Sequence, residues 1–404
     1  MINVAVLGYG TVGSGVVEVI ERNRARLCGN AGEEMHVKYI LDLRDFPGDP
    51  YEGKVVHDFD IILDDGEVSV VCEVMGGTGP AYQFTKQALA AGKSVCTSNK
   101  ELVAKHGPEL LALAAENGCN YLFEASVGGG IPIIRTLNNA LTADVIEEIV
   151  GILNGTTNYM LTRIQEDPEA DYHQVLKQAQ ELGYAERNPE ADVEGHDACR
   201  KIAILSSLMT GRNVDSEKVY TEGITRISGE DFEYSRQEDM TIKLLALGRM
   251  QEDGSVLAMV APFMIPGNHP LATVNDVFNG VLVTGNMLGQ AMFYGRGAGK
   301  LPTASAVVAD VVDCVRNPGR TLPCTWERED ACLTGVERIR RRFFVRARAA
   351  ARQPLEQAIP GGVGYTLRDG GDSFGYFTPV LEEKEFEEKC AGLGTAVLNT
   401  IRIL

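Results

Sequence analysis

The sequence predicts an α/β fold in which a doubly wound parallel sheet is followed by an α+β domain and a small C-terminal domain. Three observations predict this organisation. The chain has 404 residues, which exceeds one average domain and suggests two or three. Its first third alternates apolar strands with helices, a pattern typical of a parallel sheet covered by helices. A Pro- and Gly-rich stretch, "RNPGRTLPCTWE", then precedes a final run of short strands and helices.

The composition narrows the class of protein. With 44% hydrophobic and 23% charged residues, it is that of an ordinary globular protein. We find no leader pattern and no apolar segment of about 18 residues, so we expect no signal peptide and no membrane span. A formal net charge of −18 argues against binding to nucleic acid or to anionic membranes. The nine cysteines form no CxxC pair, which predicts reduced thiols in a cytoplasmic protein.

The first predicted elements are an apolar strand over 2–7, a glycine-rich turn and an amphipathic helix. The turn is "GYGTVG", which contains Gly8, Gly10, Thr11, Val12 and Gly13. The first glycine permits a tight turn, the second lets the backbone approach a pyrophosphate, and the third lets helix and strand pack closely. The pyrophosphate would lie at the helix N-terminus, where unpaired N–H groups favour an anion. We therefore predict a Rossmann-type site for a dinucleotide.

The second strand, "HVKYILDLR", bears on the choice of cofactor. It ends near Asp42 and Arg44. An acid at this position can accept a hydrogen bond from the ribose 2′-hydroxyl of NAD, whereas an arginine can accommodate the 2′-phosphate of NADP. Because both are present, the cofactor is NAD or NADP.

Four further strands are predicted at "DIILD", "VSVVCEVMGG", "SVCTSN" and "NYLFEASV", with helices at "PAYQFTKQALAAG" and "PELLALAAENG". Ligands of such sheets bind beyond the carboxyl ends of the strands. That places "MGGTGP" and the segment with Thr97, Ser98 and Lys100 at the edge of the cofactor. A lysine that starts a helix is most often simply exposed. The position of Lys100 at a strand end nevertheless aims it at the nicotinamide.

Two segments of small residues leave alternatives open. "FEASVGGGIPIIRTLNNAL" combines bare glycine backbone with Glu124, then Pro132 and an apolar helix. It could hold a cation through carbonyl groups and the carboxylate, or it could be a hinge. "NGTTNY" follows a strand, and its small polar residues could contact a polar substrate or cap the next helix.

An acid-rich segment, "ELGYAERNPEADVEGHDACRKIAIL", precedes a largely apolar helix. Asp197 and Lys201 are four residues apart and share one helical face. Such a pair is usually a surface ion pair of small energetic value. Here the helix is apolar around Lys201, and the upstream loop supplies Glu186 and Asp192. Carboxylates around a partly desolvated lysine can set its pKa and orient it for proton transfer.

These motifs together resemble those of homoserine dehydrogenase. The resemblance is carried by "GYGTVGSG", "TSNKELVAKHG", "FEASVGGGIPII", "GILNGTTNY", the acid-rich segment and "YGRGAGKLPTASAVVADVV", and it covers about 1–316. It implies NAD(P)-dependent interconversion of L-homoserine and L-aspartate 4-semialdehyde, in the biosynthesis of threonine, methionine and isoleucine.

The resemblance also implies roles for individual residues. Lys201 would donate the proton when the semialdehyde is reduced, and Lys100 would assist beside the reacting carbon. The implied substrate contacts are Glu186, which would hold the amino group, Asp192, Asp197 and Thr156. The implied ligands of a monovalent cation, such as sodium, are Glu124 and the carbonyl groups of Val127, Gly129 and Ile131. Gly297 and Gly299 would be late contacts of the cofactor.

The expected domains follow from these motifs. A Rossmann domain spans 1–135 and is completed by a returning helix at 300–316. A substrate-binding and dimerisation domain spans 136–299, and a linker spans 317–331. Residues 332–404 have the order strand, helix, strand, strand, helix, strand, which fits a ferredoxin-like domain and by position resembles the regulatory ACT domain. Its effector-binding turn is missing, so we expect it to serve subunit contact in a homodimer or homotetramer.

Two other hypotheses compete with an active homoserine dehydrogenase. A non-catalytic amino-acid sensor on the same fold would need the loss of Lys100 or Lys201, and both are present. A different NAD(P) oxidoreductase, such as a semialdehyde dehydrogenase, would need a nucleophilic cysteine at a strand end. Cys96 is a nominal candidate, but it lacks an evident activating histidine.

Overall fold

The structure, a computed structural model, describes residues 1–367 and 372–404. The strands are β1 Ile2–Leu7, β2 Met35–Leu41, β3 Val55–Val56, β4 Val68–Glu73, β5 Ser94–Thr97, β6 Tyr121–Leu122, β7 Ile146–Ile152, β8 Arg212–Asn213, β9 Tyr220–Thr221, β10 Met240–Met250, β11 Val256–Pro266, β12 Phe278–Gly285, β13 Gly289–Arg296, β14 Glu327–Asp330, β15 Arg340–Arg341, β16 Phe343–Arg348, β17 Val363–Tyr365, β18 Ser373–Phe377, β19 Leu381–Glu382 and β20 Val397–Ile403. The helices are α1 Thr11–Arg22, α2 Arg24–Ala31, α3 Asp60–Leu63, α4 Gly79–Ala90, α5 Lys100–Glu116, α6 Gly155–Glu166, α7 Tyr172–Glu181, α8 Glu190–Val193, α9 His196–Thr210, α10 Gly229–Gln237, α11 Lys300–Arg316, α12 Arg352–Ala358 and α13 Glu383–Leu393.

The chain forms two compact units. The first contains 1–145, 203–217 and 295–331, and the second contains 146–202, 218–294 and 332–404. Residues 317–331, expected as a linker, instead lie within the first unit, and Trp326 anchors them there. Trp326 is only 6% exposed and covers Gly107, where an added Cβ would lie 2.9 Å from the indole ring. β14 also pairs with β8 in this unit.

The first unit holds a parallel sheet in the order β3-β2-β1-β4-β5-β6. Val4 and Val6 of β1 are fully buried beneath α1 and α11. The returning helix α11 spans the predicted residues and approaches α1 so closely that a Cβ on Gly15 would lie 2.7 Å from the Lys300 carbonyl oxygen. The predicted doubly wound sheet is confirmed.

One predicted element of this unit is wrong in type, and another is shorter than expected. The segment "DIILD" forms the single helical turn α3, and the edge strand of the sheet is β3, which pairs with Ile40 and Leu41. A short apolar run has no period that distinguishes a strand from a buried helical turn, and Ile62 is buried in either case. The apolar helix expected after Pro132 is a short π-helical turn over Thr136–Ala140.

The second unit holds a sheet in the order β13-β12-β7-β10-β11-β20-β16-β18-β17, and β9 pairs with β11. The C-terminal elements run β16-α12-β17-β18-α13-β20, and their strand order is that of a ferredoxin-like sheet. Because β20 pairs in parallel with β11, the C-terminal strands and strands β7 and β10–β13 form one continuous sheet. The last residues of the predicted strand "GVGYTLRDG", at 368–370, lie outside the described residues.

Among the residues that the structure describes, no helix combines the length and the apolar composition needed to cross a membrane.

Candidate active site

The glycine-rich turn in the first unit has the geometry that the motif predicts. Gly8 has a φ of +94°, a conformation that favours glycine. A Cβ on Gly13 would lie 1.9 Å from the Gly8 carbonyl oxygen, so only glycine lets the turn close on α1. Gly10 caps α1 and has no atom within 4 Å of an added Cβ. This backbone lies open at a helix N-terminus that begins with Thr11 and Val12, as an anion site requires.

The acid and the arginine predicted after β2 form an ion pair beside this turn. Asp42 Oδ2 accepts a hydrogen bond from the Tyr9 N–H at 2.8 Å, and Asp42 Oδ1 lies 2.9 Å from Arg44 Nε. The Arg44 guanidinium stacks over Phe46 at 5.1 Å. Chiefly because of the hydrogen bond from Arg44, the pKa of Asp42 lies well below its usual range. The structure therefore brings both specificity candidates to one corner of the site.

The segment between β5 and α5 is tied down by its own side chains. Thr97 is fully buried, and its hydroxyl donates to Glu73 at 2.6 Å, so it supports the site from beneath. Ser98 is half-buried, and Asn99 caps α5 by accepting a hydrogen bond from the Leu102 N–H at 3.1 Å. Lys100 is the first residue of α5, as predicted. Glu73 was not among the predicted site residues, since its strand context "VVCEVM" gives no functional signal.

The glycine-rich segment after β6 is packed in the first unit. A Cβ on Gly129 would lie 2.5 Å from the Gly297 carbonyl oxygen, and the Gly130 N–H donates to the Arg296 carbonyl at 3.2 Å. These contacts place Gly297, a predicted cofactor contact, against the predicted cation segment. These close contacts fix the backbone of the glycine-rich segment, which argues against its interpretation as a hinge.

Glu124 is the carboxylate of the predicted cation site, and it is 3% exposed. Its two oxygens accept hydrogen bonds from the Ile134 N–H at 2.9 Å and the Arg135 N–H at 2.6 Å. Val127 and Ile131 are buried on the same segment, and the Ile131 carbonyl accepts from the Ile133 N–H at 2.9 Å. Burial raises the pKa of Glu124. Carboxylate and carbonyl oxygens each keep a second lone pair, so this donor set fits a hard cation.

The second unit brings together the lysine and the acids of the acid-rich segment. Lys201 and Asp197 are 7% and 5% exposed, and Lys201 Nζ lies 2.7 Å from Asp197 Oδ2. Lys201 Nζ also donates to the Leu153 carbonyl oxygen at 2.7 Å. The side-chain amide of Asn154 donates to Asp192 Oδ1 at 2.7 Å and to Asp197 Oδ2 at 2.8 Å. The pair is thus a buried, hydrogen-bonded cluster, and the alternative of an exposed ion pair is wrong.

Asn154 belongs to "NGTTNY", whose polar residues the sequence left open between substrate contact and helix capping. It is the N-cap of α6, where its side-chain oxygen accepts from the Thr157 N–H at 2.8 Å, so the capping interpretation of "NGTTNY" is confirmed. The same side chain joins the two acids through its nitrogen. A local cap is visible in the sequence, whereas contacts with residues 38 and 43 positions away are not.

Two predicted substrate contacts have hydrogen-bond partners outside this cluster. The Thr156 hydroxyl donates to the Tyr184 carbonyl oxygen at 2.6 Å, so it fixes the loop that follows α7. Glu186 lies on that loop and is exposed, and its main-chain carbonyl accepts from Gln180 Nε2 at 3.0 Å. The structure therefore places Asp192 and Asp197 with Lys201 and leaves the Glu186 carboxylate at the surface.

The chain matches the models of one protein family. The family model for homoserine dehydrogenase matches residues 132–312, and the model for the NAD-binding domain of homoserine dehydrogenase matches residues 8–124. Homoserine dehydrogenase of Synechocystis is 42% identical over 406 residues, with 96% of this chain and 91% of that protein covered. The Bacillus subtilis enzyme is 45% identical over 324 residues, with 78% and 73% covered.

Solved structures extend the likeness to the whole chain. The crystal structure of a homoserine dehydrogenase from Thiobacillus denitrificans is 35% identical, covers 100% of this chain and 98% of its own, and has a TM-score of 0.89. A hyperthermophilic archaeal homoserine dehydrogenase in complex with NADPH is 25% identical, covers 80% of this chain and 99% of its own, and has a TM-score of 0.66. The chain belongs to the homoserine dehydrogenase family, the NAD(P)-dependent oxidoreductases that interconvert L-homoserine and L-aspartate 4-semialdehyde.

Proposed function

We propose that Lys201 is the proton-transferring residue of this homoserine dehydrogenase. It donates a proton to the carbonyl oxygen when the semialdehyde is reduced, and it takes the hydroxyl proton when homoserine is oxidised. When bound, the nicotinamide supplies or accepts the hydride. The observation that carries the proposal is a nearly buried ammonium group held by Asp197 and the Leu153 carbonyl oxygen. Burial favours the neutral amine and the carboxylate favours the ammonium, so this setting suits a group that alternates between the two.

Asp192, Asp197 and Asn154 orient the proton donor. Asn154 donates both amide hydrogens to the carboxylates, which fixes the direction of Asp197 toward Lys201. A group that is positioned in advance loses little entropy when the substrate reacts. We assign Asp197 to lysine positioning, and we assign Asp192 to the polar groups of the substrate.

Three further residues complete the proposed site. Lys100, at the start of α5, assists proton transfer or polarises the carbonyl group. Glu186 accepts the substrate ammonium group, and its exposure suits a carboxylate that meets a ligand arriving from solvent. Thr156 acts on the substrate through the loop it holds, because its hydroxyl is engaged with the Tyr184 carbonyl oxygen.

The proposal extends to cofactor, cation and assembly. Arg44 supports NADP and Asp42 supports NAD, so the site accepts either dinucleotide. Glu124, with the carbonyl groups of Val127, Gly129 and Ile131, would hold a monovalent cation, which would rigidify this segment.

The proposed place of action is the cytoplasm, in keeping with reduced thiols at all nine cysteines, which lie within the described residues. The ACT-like C-terminal elements would serve subunit contact in a homodimer or homotetramer.

The test is direct. Purified protein is mixed with L-homoserine and either NAD or NADP, and the absorbance of the reduced cofactor is followed. We expect a homoserine-dependent rise with at least one of them, and no rise with L-threonine as the substrate. If homoserine gave no signal with either dinucleotide, the proposed function would be wrong. Added L-threonine should leave the rate unchanged, because the effector-binding turn is missing.

A further inference from the structure

Glu73 is a buried carboxylate at the edge of the nucleotide site. It is the last residue of β4, and it pairs in register with Leu7 at the end of β1 and with Thr97 at the end of β5. In the sheet, β1 and β4 are the neighbours at which the strand order reverses, which is where dinucleotides bind in doubly wound folds. The side chain is 0% exposed, so a functional group of this type is unexpected there.

The two oxygens of Glu73 hold the two loops that follow β4 and β5. Oε1 accepts a hydrogen bond from the Met75 N–H at 2.9 Å, and Oε2 accepts one from the Thr97 hydroxyl at 2.6 Å. The Thr97 oxygen in turn accepts from the Asn99 N–H at 2.9 Å. The Asn99 amide then donates to the Gly77 carbonyl oxygen at 2.7 Å. The hydrogen bonds of Glu73 and of Asn99 therefore each connect the loop after β4 to the loop after β5.

We propose that Glu73 is a positioning residue for the bound dinucleotide. By joining the loop after β4 to the loop after β5, it sets the place of both loops and of Lys100, which follows Asn99 at the start of α5. It acts through Thr97 and the backbone, without contact with the reacting atoms. The proposal rests on the proposed use of this edge by the nicotinamide half of the cofactor.

Burial of the Glu73 carboxylate has an energetic cost. Burial raises the pKa of Glu73 from its ordinary value of 4.5 to about 7, against the opposing effect of its hydrogen bonds. Because the folded state binds the proton more tightly, folding becomes less favourable as the pH rises from 4.5 to about 7. Ionised Glu73 therefore costs folding free energy at neutral pH, and the hydrogen bonds that it accepts offset part of that cost.

The groups around Glu73 provide little compensating charge. Tyr121 on β6 faces it, and burial together with the charge of Glu73 raises the pKa of that hydroxyl well above its usual value. Thr97, Asn99 and the Met75 N–H are hydrogen-bonding groups without a charge. Lys100 is the cationic residue nearest in sequence on the adjoining helix. A pH effect near 7 is therefore assigned to Glu73, since Tyr121 titrates at much higher pH.

The experiment compares Glu73→Gln with wild-type protein. The amide keeps the size of the side chain, still accepts from the Met75 N–H, and reverses the direction of the bond to Thr97. We measure the dissociation constant of NADP⁺ by titration without homoserine, and the Tm at pH 8. The expected result is binding weakened about tenfold, because a charged hydrogen bond is lost, with a Tm at least equal to that of wild type. The pH dependence of binding near 7 should also disappear.

Two valine variants form a matched pair for the same measurements. Thr97→Val breaks the bridge and should weaken NADP⁺ binding in the same way, even if Glu73→Gln folds poorly. Thr85→Val removes an equally buried hydroxyl of α4 in the same unit and should leave binding unchanged. Binding within twofold of wild type in both Glu73→Gln and Thr97→Val would overturn the proposal. So would weaker binding in Glu73→Gln accompanied by a lower Tm of that variant at pH 8, together with wild-type binding in Thr97→Val. Because homoserine is absent, either result is independent of the role of Lys201.

Discussion

The two units present their candidate functional groups in different ways. In the first unit, Gly8, Gly10 and Gly13 present bare backbone at a helix N-terminus, and side chains are absent where the dinucleotide approaches. In the second unit, Lys201 and its partners Asp197 and Asn154 form a buried cluster of side chains. The comparison teaches that, on the proposed roles, cofactor binding depends on the absence of side chains at three glycines of a local turn. The proposed proton transfer at Lys201 depends on contacts between residues far apart in the sequence.

Lys201→Met gives the largest expected effect and concerns the second unit alone. Methionine keeps the length of the side chain and removes the amine, so no group remains to move the proton. We expect kcat to fall by about 10³-fold or more. The change is measured as homoserine-dependent reduction of NADP⁺ or NAD⁺ at saturating substrate.

Lys177→Met is the matched control. Lys177 is an exposed lysine of α7 whose partner is Glu181, four residues away. Its replacement should leave kcat unchanged. A Lys201→Met variant with a rate within threefold of the wild-type rate would show that another group carries the proton.

Gly13→Ala and Gly10→Ala give the second largest effect, in the first unit. A methyl group on Gly13 would overlap the Gly8 carbonyl oxygen, so this variant should lose about 1–3 kcal/mol of folding free energy. A methyl group on Gly10 meets no protein atom, so its stability should change by less than about 1 kcal/mol. It should still weaken dinucleotide binding by about tenfold, because it occupies the approach of the pyrophosphate. Thermal unfolding and nucleotide titration measure the two effects, and equal destabilisation of both variants would contradict the assignment.

Arg44→Ala gives the smallest effect and sharpens the account of the first unit. The Arg44 guanidinium is exposed, so its contact with a 2′-phosphate is screened by solvent. We expect the KM for NADP to rise about fivefold while that for NAD stays within twofold. An equal rise for both cofactors would place Arg44 outside the recognition of the 2′ position.

The sequence was most informative where structure is local. The turn with Gly8 and Gly13 and the start of α5 at Lys100 depend on neighbouring residues, and both were predicted, whereas the span of α11 was predicted from the family resemblance. The segment "DIILD" was not predicted correctly, because three apolar residues show no period. Residues 317–331 have the composition of a linker, yet Trp326 is held by burial that only the folded chain provides.

In the candidate site, too, local features were predicted and contacts between distant residues were not. Helical spacing placed Asp197 beside Lys201, and the structure adds that both are buried. The contacts of Asn154 with the two acids and of Glu73 with Thr97 escaped prediction because these partners lie far away in the sequence, and a carboxylate in an apolar context has no distinctive spacing. Glu186 was grouped with the acids around Lys201 by proximity along the chain, whereas its carboxylate lies at the surface.

The central claim is that dinucleotide binding and proton transfer are carried by separate groups. Its most direct test is the dissociation constant of NADP⁺ for Lys201→Met and for Gly10→Ala, titrated in the absence of homoserine. We predict a wild-type value for Lys201→Met, whose turnover is lost, and a value raised about tenfold for Gly10→Ala. An inactive Lys201→Met variant that also failed to bind NADP⁺ would contradict the account, because Lys201 would then act on the cofactor and not on the proton.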